Sequence, residues 1–199
     1  AARGGLLREL PDGPGLKKLL DPLGADGDSM IVVVGKGDSD FDRADAFRVA
    51  WTILAAGLGN VAVLDGGYSR WLREKRPVAV EQPAFSPGDT RGQMDTSRAV
   101  SKREVLDKMR TSVLVDARAP EVYFGITTEP WAATPGHIRG AVNLPAPWIF
   151  GQDGLVRSRS DLESMAEGVV GEDKEKEIIL YCGVGVYASA WSYILTELL

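Results

Sequence analysis

One arrangement occurs twice in this chain and restricts its fold more than any other feature. A short apolar run ends in glycines and passes at once into a helix-forming stretch that carries a Trp and an Ile-Leu pair. The first copy is MIVVVGKG (Met30–Gly37), followed by DFDRADAFRVAWTILAAGLG. The second is EIILYCGVGVYASAWSYILTELL, from Glu177 to Leu199. An apolar run of this kind reads as a buried strand, and glycines at its end let the backbone turn into a helix. In the first copy Ala46, Phe47, Ala50, Trp51, Leu54 and Ala55 recur at three- and four-residue spacing, the apolar stripe of a packed helix. Gly57 and Gly59 end it. Val61, Val63 and Leu64 predict a second strand, then a turn at Asp65-Gly66-Gly67 and a helix from Ser69. Strand, helix and strand with short connections form a right-handed parallel crossover. The pattern therefore predicts an α/β chain built on an internal repeat, with Gly35 at the position that Cys182 occupies in the second copy.

Residues 79–96 lack periodicity and are rich in Pro, Gly and Asp, so they read as a linker between residues 1–78 and residues 97–199. Beyond it a helix begins at Ser101, with Glu104 three residues on as its capping partner. Strands are expected at Val113–Arg118, Ala141–Leu144 and Glu177–Cys182, and a capped helix at Ser158–Val169. From Ala188 onward Trp191, Ile194, Leu195 and Leu198 share a helical face. The 199 residues suffice for one or two domains with a real core. A net charge of −5 offers no basic surface for nucleic acid, and no apolar run reaches the roughly 18 residues of a membrane span. The opening AARGGLLREL lacks the apolar stretch of a signal peptide. One cysteine forms no internal disulfide, which favours a reducing cytoplasm over the periplasm without fixing the compartment.

That one cysteine, Cys182, stands where a parallel strand ends and a glycine loop begins, at the sheet edge where α/β folds bind ligands. The loop runs Gly183, Val184, Gly185, Val186, Tyr187 and Ala188. Its glycines allow amide groups to curl toward the sulfur and favour the thiolate. A free thiol with a pKa of about 8.5 is only about 3% ionised at pH 7, and a helix dipole alone contributes about 0.3–1 kcal/mol. The amides would have to supply the rest. A buried structural cysteine is the bland alternative. A cysteine phosphatase would need an Arg six residues after the thiol, where this chain has Ala188. A dithiol redox pair would need a second cysteine.

Four segments, VLVDARAPEVYFG, GHIRGAVNLP, IILYCGVGVYASAW and NVAVLDGGYSRWLREKRPV, together resemble the tandem-domain rhodaneses, the thiosulfate and 3-mercaptopyruvate sulfurtransferases. The resemblance implies two α/β rhodanese-like domains, each a parallel sheet flanked by helices. The first would be incomplete and inactive, and the second catalytic. It also implies a strand and helix beyond Leu199 and about half a domain before Ala1. Cys182 would attack the outer sulfur of a small-molecule donor and pass the resulting persulfide sulfur to a thiol or cyanide, with no cofactor or metal. The loop residues and Arg118 would bind the donor, and Arg139 is a second candidate for a donor carboxylate. Asp116 would anchor Arg118 or the loop. His137, the only histidine, would fix the GHIRGAVN turn, with general base as the alternative. Tyr123, Trp131 and Trp148 would pack the core or line the pocket mouth. Val184 and Tyr187 stand where the mercaptopyruvate enzymes have Ser and Thr, and Val122 stands where the family has an anion-binding Arg. The rival reading is a non-catalytic rhodanese-like module that binds a partner.

Overall fold

The computed structural model describes residues 9–81, 83–90 and 93–199. Residues 1–8, which make up most of the amino-terminal stretch without a signal-peptide pattern, lie outside these, as do Gln82, Arg91 and Gly92 of the expected linker. Helix α1 (Gly13–Leu20) starts at Asp12, whose side chain accepts the Gly15 amide, and buries Leu16 and Leu20. Strand β1 (Ile31–Val33), helix α2 (Asp40–Ala55) and strand β2 (Val61–Val63) form the first crossover. The two strands run parallel, with Ile31 opposite Val61. β1 stops short of the expected Gly37 because the chain turns away to meet the next helix. Gly35 O accepts the Tyr68 amide at 2.8 Å and Lys36 O the Ser69 amide at 3.0 Å. That helix, α3 (Gly67–Arg73), begins two residues before Ser69. Gly66 and Gly67, at φ +76° and +63°, make the left-handed turn that starts it.

The expected linker is irregular but pinned to the first half. The Gly88 amide donates to Asp21 O at 2.8 Å, the Thr90 amide to Asp21 Oδ1 at 2.9 Å, and the Asp95 amide to Ala55 O at 2.6 Å. Helix α4 (Lys102–Lys108) carries the expected reciprocal cap between Ser101 and Glu104. Strand β3 (Val113–Asp116), the single-turn helix α5 (Pro120–Tyr123), strand β4 (Val142–Asn143), helix α6 (Arg159–Val170), strand β5 (Ile178–Tyr181) and helix α7 (Val186–Tyr193) follow, and a π-helical turn closes the chain at Ile194–Leu198. The second sheet is parallel throughout, in the order β4-β3-β5. Its strands are shorter than the apolar runs suggest, and β5 ends at Tyr181, so Cys182 is the first residue beyond the sheet. α7 begins at Val186 and not at Ala188, because Gly185 (φ +82°) completes the turn within three residues.

α2 and α7, the helices of the two repeated segments, pack against each other. One core spans both halves and joins Ala44, Phe47, Ala50 and Leu54 to Val115, Leu144, Val186, Ala190, Trp191 and Ile194. The Phe47 ring lies 5.3 Å from Tyr193 and 6.1 Å from Phe150. Polar bridges cross the seam as well: Trp51 Nε1 donates to Ser192 Oγ at 3.0 Å, and Tyr193 OH to Val61 O at 2.8 Å. In the first loop a Cβ on Gly35 would sit 2.8 Å from Ala46 Cβ and 3.2 Å from Asp42 O, so no side chain fits there.

Candidate active site

The site grows from the carboxyl edge of the second sheet. Parallel register sets Asp116 of β3 beside Tyr181 of β5, and the Ala117 amide continues the ladder to Tyr181 O at 2.9 Å. Each chain segment then leaves the sheet at the same edge, one through Arg118 and the other through Cys182.

Cys182 is half-buried. The Gly185 amide donates to its Sγ at 3.1 Å, the one loop hydrogen bond to the sulfur among the described residues. The expected ring of several amides is thus a single amide here. The loop proper is only Gly183-Val184-Gly185, since Val186 and Tyr187 already belong to the first turn of α7. The Val186 side chain is sealed in the core, so it offers no wall to a ligand. The Tyr187 ring meets Phe41 edge-on at 5.8 Å, and burial, followed by the nearby charges of Asp40, Cys182 and Glu129, pushes its phenol up. Cys182, Gly185 and Ala188 line an open cleft of about 470 Å³ along β5 and α7, together with Arg48, Trp51 and Arg98.

Asp116 is fully buried and grips Arg118. Its Oδ1 accepts the Arg118 amide at 3.0 Å and Nε at 2.9 Å, while Oδ2 accepts Nη2 at 2.5 Å. The same Nη2 donates to Gly136 O at 2.9 Å. Nη1 faces Glu129, at 3.7 Å from its Oε2. Most of the guanidinium is therefore committed to Asp116, with Nη2 also tying it to the 125–136 segment at Gly136, and Nη1 is the edge left toward the Glu129 carboxylate. His137 is exposed, with its ring stacked on Tyr123 at 3.8 Å and Nδ1 2.9 Å from Tyr123 O, a turn-fixing arrangement. Tyr123 OH donates to Ala141 O at 2.8 Å, so this residue packs the turn. Arg139, Trp131 and Trp148 lie at the surface.

Two charged residues that sequence alone does not single out reach the loop. The Glu129 carboxylate rests against Gly183, where a Cβ would collide with it. Arg48 of α2 donates from Nη1 to Gly185 O at 3.2 Å and to Ser189 Oγ at 3.0 Å. The local sequence around Cys182 is uncharged, but the site is not. A charge on an amphipathic helix reads as a solvated face, so Arg48 gave no signal, and Glu129 lies in a stretch without periodicity.

Fold and site together define a parallel α/β protein that presents a cysteine in a glycine loop at the carboxyl end of its sheet. Residues 101–198 match the rhodanese-like domain. The chain is 33% identical over 202 residues to a Mycolicibacterium smegmatis protein assigned as a thiosulfate sulfurtransferase, covering 96% of this chain and 70% of that one. It is 34% identical over 183 residues to Bos taurus thiosulfate sulfurtransferase, covering 90% of this chain and 61% of the bovine protein. The structure of Escherichia coli SseA, described as a 3-mercaptopyruvate sulfotransferase with a rhodanese fold, superposes with a TM-score of 0.76 at 25% identity, covering 94% of this chain and 69% of SseA. The chain belongs to the rhodanese family of sulfurtransferases.

Proposed function

We propose that this protein moves a sulfane sulfur from a small-molecule donor to a thiol or cyanide through a persulfide on Cys182. The Cys182 thiolate attacks the outer sulfur of thiosulfate or of 3-mercaptopyruvate. A new S–S bond forms, and the donor's S–S or C–S bond breaks. Sulfite leaves with the bonding pair, or the enolate of pyruvate does so and then takes a proton. An acceptor thiolate or cyanide then takes the outer sulfur and returns the Cys182 thiolate, so electrons balance without a redox cofactor. The observation that carries this reading is the half-buried Cys182 at the mouth of a cleft, with the Gly185 amide 3.1 Å from its sulfur. A thiolate held by an amide needs no base, which fits the stacked, turn-fixing place of His137.

In this reading Gly183–Gly185 and the first turn of α7 as far as Ala188 cradle the donor, Val186 by its backbone alone, with Asp116 and Arg118 fixing the 125–136 segment beside them. Residues 97–199 form the catalytic domain, and residues 1–78 a second rhodanese-like unit in which Gly35 replaces the thiol. Names among the relatives point to both donors, and the neutral loop sequence is closer to the mercaptopyruvate type.

Thiosulfate and 3-mercaptopyruvate are offered separately to the wild type and to Cys182→Ser. Cyanide-labile sulfur should accumulate on the wild type, and the variant should lose at least about a thousandfold in turnover, as expected when a covalent nucleophile is removed. Retained turnover in Cys182→Ser would refute the mechanism. A wild-type thiol that alkylates normally yet takes sulfur from neither donor would favour the partner-binding module.

A further inference from the structure

We infer that Arg48, from the first half of the chain, is a positioning residue for the thiol of the second half. It would hold Gly185 so that this residue's amide stays aimed at the sulfur. The inference rests on the reading of Cys182 as a reactive thiol, but not on which donor supplies sulfur.

Gly185 has two roles that its backbone must satisfy at once. Its N–H meets Cys182 Sγ at 3.1 Å, and its carbonyl, on the other side of the same Cα, accepts three donors. These are Arg48 Nη1 at 3.2 Å, Ser189 Oγ at 2.7 Å and the Ser189 amide at 3.1 Å. Arg48 Nη1 also donates to Ser189 Oγ at 3.0 Å, which closes a ring of carbonyl, hydroxyl and guanidinium. Fixing the carbonyl direction sets ψ at Gly185, and with the N–H held by Sγ on the other side of Cα it narrows the rotation left to a glycine at φ +82°, which has the widest range of alternatives to lose. The guanidinium also fills the space where a side chain at Gly185 would lie, 2.6 Å from the position a Cβ would take. Its own place is set by α2, where the Arg48 guanidinium lies 5.5 Å from the Trp51 ring centre and Thr52 Oγ1 bonds Arg48 O at 2.8 Å. The charge it brings stands in the wall of the cleft that Cys182 lines. The charged groups facing the loop from the other elements are Glu129, backed by Arg118, and Asp40 beside Tyr187, while Arg98 and Glu177 line the same cleft further along. Arg48 is thus the cation that the loop's own sequence lacks, supplied across the seam between α2 and α7.

The test is iodoacetamide alkylation of the single thiol in the full chain, compared at pH 7 and at pH 10. Alkylation reports the thiol itself, so its outcome is independent of sulfur transfer, which Cys182→Ser decides. Arg48→Met should alkylate about three- to tenfold more slowly than wild type at pH 7, and at the wild-type rate at pH 10, above the ordinary range of free thiols. Arg48→Lys, which restores charge without the planar fork, should recover part of the pH 7 rate. A merely structural role would change both pH values alike or neither. Equal rates for Arg48→Met and wild type at pH 7, or a parallel change at both pH values, would overturn the inference. If Arg48→Met does not fold, Ser189→Ala removes one member of the ring and decides the question in its place. A slower rate at pH 7 alone supports the positioning role, and an unchanged rate overturns it.

Discussion

Asp116 has no solvent exposure, yet it carries a partner that bears a full charge. Three of the Arg118 donors, its own amide included, converge on the one carboxylate, and the remaining geometry ties the arginine to Gly136. Such a pair contributes little net stability when intact, because desolvation offsets attraction, but breaking it strands a charge in the interior. Asp116→Ala should therefore cost about 3–5 kcal/mol in urea denaturation, the range for removal of one partner from a buried pair. A loss under about 1 kcal/mol would mean that Arg118 swings out to water instead. The same substitution should loosen the 125–136 segment, since Arg118 reaches that segment through Gly136 and Glu129. The position of Asp116 at a strand end, two residues before Arg118, was enough to suggest an anchor. It could not show that the arginine would be spent on that anchorage, because the partner at Gly136 lies 18 residues away and bonds through its backbone.

At the scale of elements, much of the architecture was legible because its signals are local. The caps at Ser101 and Ser158 stand where side chain and spacing placed them, and the α2 stripe of Phe47, Ala50, Trp51 and Leu54 is buried as its periodicity required. Strand lengths were overread, since apolar runs continue past the last ladder hydrogen bond; Val34 follows β1 and is exposed. The start of α7 was misplaced by two residues, because the turn depends on one left-handed glycine and not on composition. The stretch before α4 illustrates the same limit. Its composition reads as a passive linker, but Asp21 ties it down, accepting the Thr90 amide at 2.9 Å and hydroxyl at 2.7 Å, with Lys17 Nζ 2.9 Å from its other oxygen. The Thr90 amide, then Lys17 and the Thr90 hydroxyl, hold the Asp21 carboxyl down at about 2, against 3.8 for a free group. A depressed carboxylate stabilises the fold above the unfolded value and loses that contribution as pH falls through the folded one. Attachment of the 88–90 segment should thus be complete above about pH 4 and fail as pH approaches 2. Hydrogen exchange at the Thr90 amide, corrected for intrinsic rates, should lose protection across that window. Asp21→Asn should lack the transition, and unchanged protection down to pH 2 would contradict the assignment.

At the scale of the whole molecule, the largest core among the described residues runs across the two halves that the sequence suggested, with smaller clusters around Leu16 and Leu114 beside it. Phe47 of α2 touches Phe150 and Tyr193, and the cluster continues without a break from Ala44 to Ile194. Tryptophan fluorescence and far-ultraviolet circular dichroism should then trace one coincident urea transition. Phe47→Ala should shift that transition intact, by about 3–5 kcal/mol as for a large aromatic lost from a core. Two separated transitions would show that the halves stand alone. The closed space at Gly35 reaches further. A single base change can turn a glycine codon into one for cysteine, but the new Cβ alone would collide with Ala46 and crowd the Asp42 carbonyl, so α2 would have to shift to admit it. Because α2 also carries Arg48, an attempt to arm the first loop would disarm the second. The two loops cannot both be reactive in this framework, and evolution or an engineer seeking a double-headed enzyme would have to rebuild the helix before touching the glycine.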